Sequence, residues 1–282
     1  MAIHQPPSGE FRICCVQASL FSRNPLCNRD ELLGLCQTIE PGSCDLIVTP
    51  EACNLYYHFD LITRLTGGEE EDFLEPFREL AREHECHVLI GSLMVRDGDR
   101  LFNRSHLMAP DGMTAGTYDK MHLIALFDEP EYFTPGRELL IVEIAGWQVG
   151  FAICYDLRFA EMFLNYALAG CHLQVLPACW PDERVNHWYH LHLARAQETQ
   201  CYFVGVNHGG QDDAGRVYRM SMIADPDAMV IAELPEPKPG IMRATLRPEV
   251  IAQQKELYDL LADRGPFPMG KGTVLPPKLR GV

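Results

Sequence analysis

Short apolar runs rich in β-branched residues alternate along the chain with longer segments whose apolar positions recur at helical spacing, the pattern of an α/β fold. The runs predict strands at Phe11–Ala18, Asp45–Thr49, His87–Val95, Ser105–Met108, Met113–Tyr118, Leu139–Ile144, Trp147–Ile153, Leu173–Pro177, Tyr202–Asn207, Val217–Ala224, Met229–Glu233 and Ile241–Thr245. So many strands exceed one small sheet, and two packed sheets with helices outside would hold them. One helix carries the apolar stripe Leu32, Leu35, Cys36, Ile39, and a second carries Phe73, Phe77, Leu80, Ala81, His84. Further helices are expected over Asp156–Leu168, ending at Gly170, and over about Glu183–Thr199. Turns at Arg96-Asp97-Gly98-Asp99, Pro110-Asp111-Gly112 and Ala145-Gly146 make the middle of the chain antiparallel, set between two strand-helix halves.

No linker, low-complexity stretch or short repeat divides the 282 residues, so residues 1–262 read as a single domain. Residues 263–282, with Pro266, Pro268, Pro276 and Pro277, read as an extended tail. A formal net charge of −15 repels a phosphate backbone, which argues against a nucleic-acid partner. The amino terminus lacks a basic start and an apolar core, and no apolar run nears the ~20 residues of a membrane span. A cytoplasmic location is therefore expected. Most of the 11 cysteines lie in apolar runs such as Ile13-Cys14-Cys15-Val16, as reduced thiols packed as small hydrophobes would. With no Cys-x-x-Cys pair, no His-Glu-x-x-His and no Gly-x-Gly-x-x-Gly, neither a metal nor an organic cofactor is expected.

Reactive groups in α/β sheets collect beyond the carboxyl ends of strands. Glu51, Lys120 and Cys154 each close a different expected strand. A helix starting near Asp156 would put a positive end beside the Cys154 sulfur, and a nearby ammonium would lower its pKa further. Lys120 can hold an oxyanion and Glu51 can move protons, so together they supply a nucleophile, a cation and a base.

The stretches Thr49-Pro50-Glu51, Tyr118-Asp119-Lys120-Met121-His122-Leu123 and Cys154-Tyr155-Asp156-Leu157-Arg158-Phe159 closely resemble, in order, the three signature blocks of the nitrilase superfamily. The resemblance extends through Phe102-Asn103-Arg104, Phe133-Thr134-Pro135-Gly136 and Ala194-Arg195-Ala196-Gln197-Glu198, over about residues 11 to 245. It implies a four-layer αββα sandwich and a homodimer or larger homo-oligomer. It also implies a second active-site glutamate at Glu129, ahead of Glu131, and a cofactor-free thioester mechanism with the Tyr155 backbone N–H in the oxyanion site. Cys-Tyr-Asp-Leu-Arg-Phe resembles the amidase branches, ω-amidases above all, so a small amide substrate is implied. A nitrilase, an N-carbamoyl amide hydrolase, or acyl transfer to an acceptor other than water would use the same triad. Ala52-Cys53-Asn54-Leu55-Tyr56-Tyr57 and Asn207-His208-Gly209 depart from the ω-amidase pattern, and Tyr57 and Trp180 are candidate pocket walls.

Overall fold

The computed structural model describes residues 7–264; most of the expected tail, residues 265–282, lies outside them. The first of two six-stranded sheets contains β1 (Phe11–Gln17), β2 (Leu46–Val48), β3 (His87–Asp97), β4 (Arg100–Met108), β5 (Thr114–Asp119) and the late strand β14 (Gly240–Leu246). Its order is β14-β1-β2-β3-β4-β5. The second contains β6 (Leu140–Ile144), β7 (Trp147–Phe151), β8 (Leu173–Pro177), β9 (Tyr202–Val206), β12 (Ser221–Ala224) and β13 (Val230–Leu234), in the order β13-β12-β9-β8-β7-β6. Each sheet has three parallel central strands, β1-β2-β3 or β7-β8-β9, flanked by antiparallel neighbours. A separate hairpin pairs β10 (Gly210–Gln211) with β11 (Val217–Tyr218).

Apolar side chains on both faces of the central strands build the layers. Phe11, Ile13, Leu46, Val48 and Leu89 meet Val149, Phe151, Leu173, Val175 and Val204 between the two sheets. On the outer face of the first sheet, Cys14, Val16, Ile47 and Val88 pack against α1 (Pro25–Cys36) and α3 (Glu69–His84), through Leu32, Phe73, Phe77 and Leu80. On the outer face of the second, Phe203 and Leu176 pack against α5 (Ala160–Leu168) and α6 (Val185–Thr199), through Phe163, Tyr166 and Trp188. The expected αββα sandwich is the fold observed. The single-turn helices α2 (Phe59–Ile62) and α4 (Glu129–Tyr132) lie on the loops after β2 and β5, and α7 (Pro248–Leu257) and α8 (Leu260–Asp263) follow β14.

Local departures have local causes. Arg100–Arg104, expected as loop, extends β4, because β3 continues to Asp97 and pairs with it through the turn. The expected strand Val217–Ala224 is broken between β11 and β12, where Met220 takes a left-handed φ of 72°. The helix expected from Asp156 is also broken: a 3-10 turn spans Cys154–Arg158, and α5 starts only at Ala160. Asp156 folds its carboxylate back onto the Ile153 N–H at 2.9 Å, within that turn.

Candidate active site

Three strand ends converge where the two sheets meet. Glu51 follows β2, Lys120 follows β5 and Cys154 follows β7, and all three are buried. The Lys120 Nζ donates to Glu51 Oε1 at 2.9 Å and to Glu129 Oε1 at 2.7 Å. Glu129 opens α4, with its Oε2 accepting the Ile124 N–H at 2.7 Å, whereas Glu131 is exposed. The Tyr57 hydroxyl lies 2.9 Å from Glu51 Oε1 and 2.8 Å from Glu129 Oε1. Asn103 Nδ2 donates to Glu51 Oε1 at 2.9 Å, and the Cys179 N–H donates to Glu51 Oε2 at 2.8 Å. Every oxygen of the Glu51 carboxylate is thus held in place.

Burial alone would push the Glu51 carboxyl up, but the adjoining Lys120 ammonium outweighs it and keeps Glu51 below the usual carboxylate range. Burial likewise opposes the charge on Lys120, and the Glu129 and Glu51 carboxylates override it, raising Lys120 well above its ordinary value. Cys154 goes the other way from the expectation for a helix end. Burial first, then the neighbouring Glu51 charge, pushes its thiol well above the ordinary value, and Lys120 only partly compensates. The 3-10 turn after Cys154 also lacks the long aligned dipole of the helix end expected there. The thiol proton points to the Cys179 carbonyl at 3.9 Å, with Glu51 also within hydrogen-bonding reach. At rest the pair is therefore a neutral thiol beside an ionised carboxylate.

The turn at Cys154 is held by a further buried carboxylate. Cys154 has φ 44°, a left-handed conformation that a side chain adopts only when its surroundings fix it. Asp156 supplies this restraint: it accepts from Ile153 N at 2.9 Å, Tyr118 Oη at 2.7 Å and His122 N at 3.0 Å. It also contacts His122 Nδ1 at 2.7 Å. Tyr118 and His122 flank Lys120, so one buried carboxylate ties the lysine strand to the cysteine turn. His208, in a stretch that departs from the ω-amidase pattern, donates from Nε2 to the Glu51 carbonyl at 2.7 Å and fixes the Glu51 backbone.

The family model for carbon-nitrogen hydrolases matches residues 12–256. The chain belongs to the carbon-nitrogen hydrolase family. This hydrolase is 30% identical over 273 residues to a 2-oxoglutaramate amidase of Paenarthrobacter nicotinovorans, covering 92% of this chain and 91% of that one. It is 33% identical over 189 residues to an omega-amidase of Escherichia coli K12, covering 66% and 73% of the two chains. Among solved structures, a CN-hydrolase superfamily protein from Xanthomonas campestris superposes with a TM-score of 0.84 at 27% identity, over 93% of this chain and all of that one. The resemblance to the nitrilase superfamily is borne out.

In the hydrolase, Cys154 opens onto a cavity of about 270 Å³ that Tyr155, Trp180, Tyr57 and Phe127 also line. Trp180 forms a wall whose Nε1–H is already bonded to the Arg184 carbonyl at 2.9 Å, leaving only its ring for contact. Tyr57 is more than the wall it was expected to be, since its hydroxyl enters the carboxylate cluster. Tyr56 instead turns to Asp212 and Tyr218, at 2.7 and 2.6 Å, beside a neighbouring cavity of about 400 Å³. Sequence reading passed over Asn103, Asp156 and Cys179 as site residues. Asn103 and Asp156 lie inside the quoted signature blocks, a signal available in the sequence. Cys179 acts through its backbone, which no side-chain pattern marks.

Proposed function

We propose that this carbon-nitrogen hydrolase cleaves a small carboxamide, of the ω-amide kind, to a carboxylic acid and ammonia through a thioester on Cys154. The observation that carries the reading is the Lys120 ammonium gripped by Glu51 and Glu129 beside a neutral thiol on the cavity floor. Ligand pockets for drug-sized molecules start at about 300 Å³, so a cavity of this size suits a smaller molecule. The relatives named as 2-oxoglutaramate amidase and omega-amidase support the substrate class.

The reaction follows from the protonation states. Cys154 Sγ attacks the amide carbonyl carbon while its proton passes to Glu51, which is ionised and within reach. Lys120 and the Tyr155 backbone N–H stabilise the negative oxygen that forms. Glu51 then returns the proton to the amide nitrogen, the C–N bond breaks, ammonia leaves and the thioester remains. Glu51 next takes a proton from water, whose oxygen attacks the thioester, releasing the acid and restoring the thiol. Glu129, by sharing Lys120 with Glu51, keeps the lysine charged and fixed.

The same reading includes one hydrolase domain over residues 1–262, a homodimer or larger homo-oligomer, and a reducing, cytoplasmic setting. Free cysteines, ten of them buried, support the last; among the described residues no helix is long and apolar enough to cross a membrane. The test is ammonia release from succinamate, 2-oxoglutaramate, butyramide, a nitrile and an N-carbamoyl amino acid, for wild type and Cys154→Ala. The expected result is turnover of amides that falls at least ~10³-fold in the variant, the usual scale for loss of a nucleophile. Turnover confined to nitriles or carbamoyl compounds would replace the amide assignment, and unchanged turnover in Cys154→Ala would remove the thioester.

A further inference from the structure

The walls of the catalytic cavity carry three arginines, Arg158, Arg184 and Arg216, against one acid, Glu183. In a chain of net charge −15 this is a local reversal of sign. Among the described residues none of the three is in an ion pair within 4 Å, although nine other arginines are. Two of them lie against aromatic rings: the Arg158 guanidinium is 4.6 Å from the Trp180 ring centroid, and that of Arg216 is 5.6 Å from the Phe127 centroid. Cation–π contact holds a guanidinium in place without satisfying its five N–H donors. Arg216 also lines the neighbouring cavity, so it stands where the two meet.

The backbone around Arg216 is built to hold it there. Asp212 Oδ1 accepts the Ala214 N–H at 3.0 Å and the Arg216 N–H at 2.8 Å, closing the turn between β10 and β11. The other oxygen of Asp212 faces the Tyr56 hydroxyl at 2.7 Å. Of the two acids in this turn, buried Asp212 is engaged with the turn and with Tyr56 and acts on Arg216 only through its field, beside the Tyr218 hydroxyl, while Asp213 is exposed, and neither forms an ion pair with it. The side chain itself is exposed at the cavity mouth, where an entering molecule meets it.

We propose that Arg216 is a specificity-determining residue that binds an anionic group on the amide substrate, so that the enzyme selects amides bearing a carboxylate over neutral amides of the same length. The inference rests on the amidase reading and adds to it the residue that reads the substrate's charge. A guanidinium presents paired N–H donors that match a carboxylate, and its charge steers anions toward an otherwise acidic protein. Arg216 has no part in the bond-breaking steps, and its effect falls on binding of the charged end.

The test compares succinamate with butyramide, which has a methyl group in place of the carboxylate, in wild type, Arg216→Gln, Arg216→Lys and Arg216→Glu. Wild type is expected to favour succinamate. In Arg216→Gln the ratio of kcat/KM for succinamate over butyramide is expected to fall roughly tenfold or more, mostly through KM, as loss of a charge-assisted contact gives. Arg216→Lys should restore part of the ratio, and Arg216→Glu should lower it further while improving turnover of 4-aminobutyramide, whose end is cationic. Butyramide turnover also reports whether each variant is folded. An equal loss on both amides, or a wild type indifferent to the carboxylate, would overturn the assignment and leave the amidase reading standing. Ammonia from no amide at all would sink both.

Discussion

Tyr57 has one hydroxyl proton and two carboxylate oxygens within 2.9 Å, Glu51 Oε1 and Glu129 Oε1. It can serve only one of them at a time, and its bond to Glu51 helps to hold that carboxyl in the ionised form. Removing the hydroxyl by Tyr57→Phe should therefore raise the Glu51 pKa and move the acidic limb of the kcat/KM profile to higher pH. Turnover at neutral pH should fall by about tenfold, less than the roughly 10²-fold at which direct proton-transfer groups begin, because Tyr57 acts through Glu51. A pH–rate profile measured from pH 4 to 9 decides this, and an acid limb that stays in place would show Tyr57 to be only a wall. At the same scale, the neutral Cys154 thiol gives no head start over ordinary thiols in alkylation. Labelling by iodoacetamide is accordingly expected first at Cys27, the exposed cysteine on α1.

The element that sets the geometry is β3, through Gly91. A Cβ there would stand 2.1 Å from the Thr49 carbonyl oxygen, 2.3 Å from that of Pro50 and 2.5 Å from the Pro177 Cβ. These atoms belong to the ends of β2 and β8, the segments that lead into Glu51 and Cys179, so the absent side chain is what lets both strand ends come together. Gly91→Ala should destabilise the fold by about 2–3 kcal/mol, as overpacking does. It should also depress kcat, because the displaced Pro50 carries Glu51 with it. Gly34, on α1 with nothing near its Cβ position, is the control: Gly34→Ala should raise the thermal midpoint slightly, by helix propensity worth about 0.5–1 kcal/mol. Equal midpoints for the two variants would refute the packing argument.

Across the whole molecule, buried histidines set the acid limit of stability. Burial lowers His106 and His192 to about 3 and His208 to about 4. His192 and His208 each have one ring nitrogen bonded to a carbonyl, of Trp188 and Glu51, and the other nitrogen without a partner, as fits a neutral ring. Below an unfolded pKa of about 6.5 the unfolded chain binds protons that the folded chain refuses, so stability is full above that pH and declines as pH falls toward 4 and then 3. At pH 5 the loss is on the order of 1–2 kcal/mol for each histidine. Thermal midpoints at pH 7.5 and 5.0 should differ by several degrees, and a flat midpoint across that range would show that these rings protonate within the fold.

What the sequence determined by itself was the alternation of apolar runs and helical stripes, hence two sheets between helices, and the three ionisable residues that close strands. Both are local signals: side-chain periodicity selects the element, and a polar residue after an apolar run marks the strand end. The signature blocks then supplied Glu129, which no periodicity marks. Tertiary structure decided the rest, because it depends on groups far apart in the chain. The turn at Cys154 is 3-10, with Asp156 bonded to Tyr118 on β5 and to His122 just after it, and the helix end expected to acidify the thiol is absent. Tyr57 entered the carboxylate cluster through a contact to Glu129, 72 residues away, and Arg216, without an ion pair among the described residues, came against Phe127, 89 residues away. Proton affinity and substrate charge preference arise from such distances in space, and the order of residues along the chain does not encode them locally.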